Sequence, residues 1–224
     1  KPTGLTYSAP VELTAGTAFT LSILAPDTQG WPVSDLGIEI DGALIGRLLL
    51  DRIIITGAAH VTLPAELPKS EHGILGWVSD GEPMSRAGLR KDRDRAVAVT
   101  GTSAWNDYTI AGTVSIHCGE LGGVVARYQG LQRYLMFAKT RTALRLISRY
   151  DGVETVLAER DCVWAIDEKH RLALTVNGNR VIARCDGVEV FQVEQTRLVN
   201  GGAGYAVQAG VLHFDCTSVT PVGA

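Results

Sequence analysis

The residues best suited to chemistry lie in Ala126-Arg127-Tyr128-Gln129-Gly130-Leu131-Gln132-Arg133-Tyr134, where two Arg, two Tyr and two Gln surround a glycine turn. Flat aromatic faces beside planar hydrogen-bond donors are what a sugar-type ligand requires of a binding surface. On strand parity Arg127 and Gln129 point to one face while Val124, Ala126 and Tyr128 point to the other, so the polar pair would line an open sheet surface. Arg127, Gln129, Arg133 and Tyr134 are therefore the candidate ligand-binding residues. The plainer alternative is a solvated strand face that ends in a hairpin.

No constellation for catalysis stands beside them. Glu39-Ile40-Asp41 has the alternation that would aim two carboxylates into a cleft, but it lacks a third acid in register and runs into Asp41-Gly42, the mark of a strand edge and turn. Asp167-Glu168 follows Trp164 in an expected loop and reads as a solvated turn. His60, His72, His117, His170 and His213 are scattered, without the His-x-His or His-Glu-x-x-His spacing of a metal grip. Gly201-Gly202-Ala203-Gly204 precedes no helical pattern, so it is a turn and not a dinucleotide fingerprint. No Gly-x-Ser-x-Gly elbow occurs. We expect no catalytic residue, no metal site and no cofactor; calcium, which loop carboxylates and carbonyls of sandwich modules can hold, has no Asp-rich loop to point to it.

Cys118, Cys162, Cys185 and Cys216 contain no Cys-x-x-Cys pair and leave three disulfide pairings open. Cys185 follows Val181-Ile182-Ala183-Arg184 at the apolar parity, the place of a small core hydrophobe, and reduced thiols are the expectation. The formal charge of -3 offers no clustered basic face for nucleic acid. The one basic cluster, Arg86 to Arg95, is interleaved with Asp92 and Asp94 and reads as a solvated linker. No apolar run has the length of a membrane span. No Asn-x-Ser/Thr sequon and no signal peptide occur, which favours a cytoplasmic origin over a secreted one, and the leading Lys1 points to a processed chain or a fragment.

The elements that must position these residues are strands throughout. With 46% hydrophobic and 20% charged residues the chain can bury a core, and its apolar runs have period two and are bounded by Gly, Asn and Asp. In Tyr108–Ile116 the residues Tyr108, Ile110, Val114 and Ile116 share one face, and Thr109, Thr113 and Ser115 the other. Further strands are expected at 123–129, 133–139, 143–149, 155–159, 171–176, 180–185, 188–193, 203–208 and 211–219. Asp151-Gly152, Asn177-Gly178, Asp186-Gly187 and Asn200-Gly201 supply the turns between them. Hairpin-joined strands at this spacing describe an all-β, antiparallel two-sheet sandwich, with Trp105 and Trp164 capping the edges of its core.

The first eighty residues alternate as well, in Phe19–Leu24, Leu36–Ile40 and the denser Leu48–Ile55. The charged stretch Asp80–Arg95, with Gly81, Pro83 and Gly88, is the expected linker. The chain is accordingly divided into a smaller β-rich, jelly-roll-like segment at residues 1–95, short enough to read as the end of a longer domain, and a sandwich at residues 96–224.

The ordered set Trp105-x-Asp107-Tyr108, Gly123–Tyr128, Arg133-Tyr134, Asp151-Gly152, Leu172-x-Leu174-x-Val176-x-Gly178, Asp186-Gly187, Gly201–Gly204 and Phe214-Asp215 resembles a concanavalin A-like lectin/glucanase (LamG-like) module. Trp164 followed by His170-Arg171-Leu172 adds to the likeness. With Trp31-Pro32-Val33, Leu36–Ile38 and Leu50–Ile53, the whole chain resembles the accessory β region of bacterial ADP-ribosylglycohydrolase-family proteins. Leu50–Ile53 is also similar to the closing strand of galactose-binding-like jelly rolls. The resemblance implies a non-catalytic recognition module for a glycan or an ADP-ribose-like ligand, attached to a catalytic domain of the same polypeptide. The sandwich is also similar to keto-disaccharide hydrolase domains, which implies glycoside hydrolysis as the alternative; a structural interaction domain is the third reading.

Overall fold

The ten strands expected between residues 108 and 219 all fall in ladders, the last two merging so that nine strands result, for the reason given by their sequence: apolar residues alternate toward a shared interior and the runs end at residues that tolerate a turn. The computed structural model describes residues 7–25, 36–41, 46–63, 77–83 and 88–223. Its strands are β1 (Val61–Thr62), β2 (Val78–Ser79), β3 (Glu82–Pro83), β4 (Gly88–Thr100), β5 (Tyr108–His117), β6 (Leu121–Tyr128), β7 (Tyr134–Thr140), β8 (Ala143–Tyr150), β9 (Val153–Asp161), β10 (His170–Asn177), β11 (Arg180–Cys185), β12 (Val188–Glu194) and β13 (Gly202–Pro221). No helix among the described residues is long and apolar enough to cross a membrane.

All pairings are antiparallel, and the ladder β12-β11-β10-β5-β13-β6-β7-β8-β9 runs unbroken through β13. The sequence reads β13 as two strands, and in the structure it is one that bends. Its first part, Gly202 to Gln208, pairs with β6 and with the second half of β4; from Gly210 onward it pairs with the first half of β4, and from Val211 with β5. At the bend Ala209 has a φ of 46°, and Asp92, Arg93 and Asp94 on β4 stand opposite that one residue between Lys91↔Gly210 and Arg95↔Gln208. Such a bulge sharpens twist and lets a strand pass from one layer to the next.

The two layers therefore share β13, one made with β6–β9 and the other with β5 and β10–β12. Tyr108, Ile110, Leu172 and Leu174 face Val124, Leu135, Phe137 and Leu146 in one apolar core, each under 1% exposed. Phe137 and Phe191 meet edge to face across the layers at 6.1 Å, and Tyr205 stacks on Phe214 at 4.0 Å. Each such large side chain contributes roughly 1.5–3 kcal/mol on burial. Trp105 closes one edge of this core, in edge contact with Tyr108, and Trp164 packs against it from the 162–169 loop.

Residues 88–95 are not a linker. They form the first half of β4, and their charges sit at the exposed corner where β4 follows the bend of β13. The pairing also crosses the division drawn near residue 95: β1 pairs with β13, β2 and β3 pair with β4, and Ala59, Val61 and Leu63 join the core. Phe19–Leu24, Leu36–Ile40 and Leu48–Ile55, expected as strands, carry no ladder among the described residues. Trp31-Pro32-Val33 lies outside the described residues.

Candidate functional site

The layer β4-β13-β6-β7-β8-β9 has a second apolar stratum on its outer face, where Val97, Val99, Val125, Met136, Ile147 and Ala206 are nearly fully buried. Polar side chains from the same face lie over it. Arg95 on β4 is the hub: its Nη1 donates to Tyr134 Oη at 3.1 Å and to Glu154 Oε2 at 2.6 Å, and its Nη2 to Glu154 Oε1 at 3.2 Å and Gln208 Oε1 at 2.7 Å. Gln208 passes the chain on, its Nε2 donating to Glu120 Oε2 at 2.6 Å. Burial works against the Arg95 charge, but Glu154 and Tyr134 more than offset it, and its pKa is raised. A bidentate pair of this kind fixes geometry as well as charge.

Beside this network opens a cleft of about 600 Å³, lined by Glu120, Leu121, Arg141, Arg145, Glu154 and Gln208. Arg145 Nη2 donates to Glu159 Oε1 at 2.9 Å, and Arg149 Nη2 donates to Gln132 Oε1 at 3.3 Å. The Nε atoms of Arg95, Arg145 and Arg149 are buried without a hydrogen-bond partner. Two cleft carboxylates, a carboxamide and the guanidiniums of Arg141 and Arg145 can exchange several directional hydrogen bonds with a hydroxyl-rich ligand.

The four residues expected from the sequence do not assemble into one face. Arg127 is a correction. It has a φ of 51°, and Ala126 and Arg127 stand opposite the single residue Ala203, so the strand alternation slips by one and the guanidinium turns inward. Fully buried, Arg127 donates from Nη1 to Leu198 O at 2.7 Å and from Nη2 to Gly178 O at 2.6 Å, with Asp107 Oδ1 at 3.6 Å. Its backbone N–H donates to Tyr108 Oη at 2.6 Å, and that hydroxyl shares its proton between the carbonyls of Gly201 and Gly202. Burial lowers the Arg127 pKa.

Tyr134 belongs to the outer-face network, but lies 1% exposed beneath Arg95 and stacks on Tyr128 at 6.1 Å. Gln129 is tied to Asn200 O and Oδ1 at 2.9 and 2.8 Å. Arg133 pairs with Asp151 at 2.6 Å and covers the Tyr150 ring at 5.2 Å. The polar side chains gathered on the outer face beside the cleft are Arg95, Arg145, Glu154 and Gln208 instead. Arg145, Ile147 and Arg149 share a parity in β8, a signal available in the sequence, whereas Arg95 is hidden by reading its neighbours as a linker.

A second cluster lies at one end of the core. His170 Nδ1 is 2.7 Å from Asp186 Oδ2, and Cys185 Sγ is 3.7 Å from the same oxygen, a set of atoms that could hold a soft divalent ion and not calcium. The neighbourhood already contains a cation: Lys139, buried, donates to Glu168 O at 2.9 Å and lies 4.7 Å from the Trp164 ring. Asp186 Oδ1 accepts the Arg171 amide at 2.8 Å, so both carboxylate oxygens have donors without an ion. Burial pushes the Cys185 thiol up to about 12, with Asp186 adding to it. Asp167 and Glu168 form the expected turn: Asp167 binds His117 at 2.9 Å, and Glu168 accepts the Ala165 amide at 2.8 Å, which holds its carboxyl below the usual range.

The fold is an antiparallel β-sandwich that recurs among solved structures. It is similar to the carbohydrate-binding module 66 from Bacillus subtilis, with a TM-score of 0.60 and 15% identity over 65% of this chain and 95% of that one. A Bacillus subtilis protein of unknown function with a galectin-like fold superposes with a TM-score of 0.56 and 11% identity, over 75% of this chain and 97% of that one. No family model and no curated protein matches the chain. At these identities the likeness shows the fold alone.

Proposed function

We propose that the chain is a non-catalytic recognition module that binds a glycan on the outer face of the β4-β13-β6-β7-β8-β9 layer. The observation that carries it is the chain Glu154–Arg95–Gln208–Glu120 along a cleft of about 600 Å³. Both carboxylates are held as acceptors by neighbouring donors, an arrangement that orients a ligand and leaves neither poised for proton transfer. One neighbour of like fold is a carbohydrate-binding module, which supports the ligand class. The ADP-ribose alternative, and attachment to a hydrolase such as an ADP-ribosylglycohydrolase, rest on the sequence resemblance; Gln129 and Arg133 would then serve a second face at the hairpin end.

An array of oligosaccharides that includes ADP-ribose, read with Arg145→Ala, Gln208→Ala and Arg133→Ala, separates these readings. Binding to a glycan should weaken by at least about tenfold in the first two variants, with the melting temperature held within roughly 2 °C, and persist in the third. Retention of wild-type affinity in both Arg145→Ala and Gln208→Ala would remove the proposed face. Release of sugar from the bound glycan, lost in Glu154→Gln, would replace recognition by hydrolysis.

A further inference from the structure

The β10–β11 hairpin carries, at the end away from its turn, three side chains that could share one ion. His170 opens β10 at the inward parity of Leu172, Leu174 and Val176, and Cys185 ends β11 at the inward parity of Val181 and Ala183, in register with Leu172. Asp186 then takes a φ of 51° and its backbone N–H donates to Arg171 O at 2.8 Å, which brings its carboxylate back over the end of the ladder. His170 Nδ1, Cys185 Sγ and Asp186 Oδ2 consequently lie within 4.8 Å of one another. No linear metal motif announces the set, because β10 and β11 must pair before the three residues meet.

Asp186 Oδ2 is 2.7 Å from Nδ1 and 3.7 Å from Sγ. Around a tetrahedral zinc, bonds of about 2.0–2.3 Å put ligand atoms roughly 3.3–3.6 Å apart, so the sulfur is nearly in place and the carboxylate need retreat from the imidazole by only about 0.6 Å. Asp186 has that freedom, its side chain being 54% exposed at the start of the Asp186-Gly187 turn, and the same exposure gives an ion its way in. A second observation lies on the far side of the ring. His170 Nε2 is buried and makes no hydrogen bond among the described residues, although Glu168 Oε1 is 3.4 Å away. In a neutral ring whose Nδ1 donates to Asp186, Nε2 is an acceptor facing a carboxylate, and the contact gains nothing. A metal on Nδ1 moves the ring proton to Nε2 and turns that contact into the carboxylate–imidazole support that ligating histidines carry. Charge agrees: Asp186, Glu168 and a Cys185 thiolate are balanced by a divalent ion together with Lys139, which Glu168 O at 2.9 Å and the Trp164 ring at 4.7 Å hold in place. An imidazole, a thiolate and one carboxylate suit zinc or cobalt and not magnesium or calcium.

We infer that His170, Cys185 and Asp186 form a binding site for a divalent transition metal of the zinc class, with Glu168 orienting His170 and water at the fourth position. Cys185 binds as the thiolate, its proton leaving to solvent. The site shares no residue with the outer-face cleft and stands independently of the glycan reading. The test is titration of the whole reduced chain with cobalt(II) and with zinc(II), with His170→Gln, Cys185→Ser and the double variant Cys118→Ser/Cys216→Ser, and near-ultraviolet circular dichroism to report the sandwich. The expected result is one ion per chain with a zinc Kd at or below about 1 μM and a thiolate-to-cobalt charge-transfer band; His170→Gln and Cys185→Ser should bind at least about a hundredfold more weakly with the fold intact, and the double variant should bind as the parent does. Absence of binding at about 100 μM metal, cobalt binding without the thiolate band, or a band that survives Cys185→Ser would each overturn it.

Discussion

At the scale of the residue, Arg127 and Cys185 show how burial converts reactive groups into structural ones. Arg127 ties β6 to the carbonyls of Leu198 and Gly178. Arg127→Met should lower stability by about 2–4 kcal/mol in urea titrations, because two buried carbonyls lose charged donors, and Arg127→Lys should restore little since an ammonium cannot span both. Under the proposed function, glycan affinity per folded molecule should not change. Cys185, its thiol pushed up to about 12, should resist iodoacetamide at pH 8 in the native protein, while exposed Cys118 and Cys216 react within minutes. Mass spectrometry of the labelled chain decides this, and fast labelling of Cys185 would contradict its placement. The sequence allowed Cys185 to be read as core because its parity in β11 is intact, and misplaced Arg127 because a bulge of one residue leaves no mark in composition. A positive φ at an arginine is set by tertiary contacts to Tyr108 and Leu198, residues distant in the chain.

At the scale of the element, the sandwich strands were legible and their exceptions instructive. Alternation exposed β5 to β12 because each has one core face, but β4 carries Arg90, Lys91, Asp92, Arg93 and Asp94 at a corner where both faces see solvent, so its first half lacks a pattern. The break between the two halves of β13 was visible at Ala209-Gly210, and only the ladders reveal that the strand continues. Gly210 has no room for a side chain: a Cβ there would lie 2.3 Å from Gly119 Cα and 2.7 Å from Cys118 O, all backbone. Gly210→Val should therefore destabilise by more than about 3 kcal/mol or abolish soluble expression, whereas Gly178→Ala, where nothing lies within 4 Å, should cost about 1 kcal/mol for its positive φ. Thermal denaturation of the two variants checks the contrast. The candidate site suffered from the same blindness, since Arg95 lies on the half of β4 that had no readable face.

At the scale of the molecule, three buried protons govern behaviour in alkali. Tyr108 and Tyr205 are raised above their ordinary 10.0 by burial, and Cys185 above 9.0. The folded chain holds these protons more tightly than the unfolded one, so stability is complete below about pH 9 and falls as pH rises toward 12, by at most about 1.4 kcal/mol per pH unit for each group. Urea midpoints at pH 8, 9.5 and 11 should decline in that order, with tyrosinate absorbance appearing only as the chain unfolds; a flat profile would refute the burial of these groups.

The bend at Ala209 means that both layers hang from one spine. Neither can be pulled away without stripping β13 from its neighbours, so the halves have no separate melting behaviour and no natural seam for a protease or a circular permutation between them. A cut at 209–210 would sever the shared support of the cleft and of the opposite wall at once. The engineering tolerance of this protein consequently lies away from that spine, at a hairpin tip such as Gly130-Leu131, where a fused reporter would leave the proposed recognition face untouched.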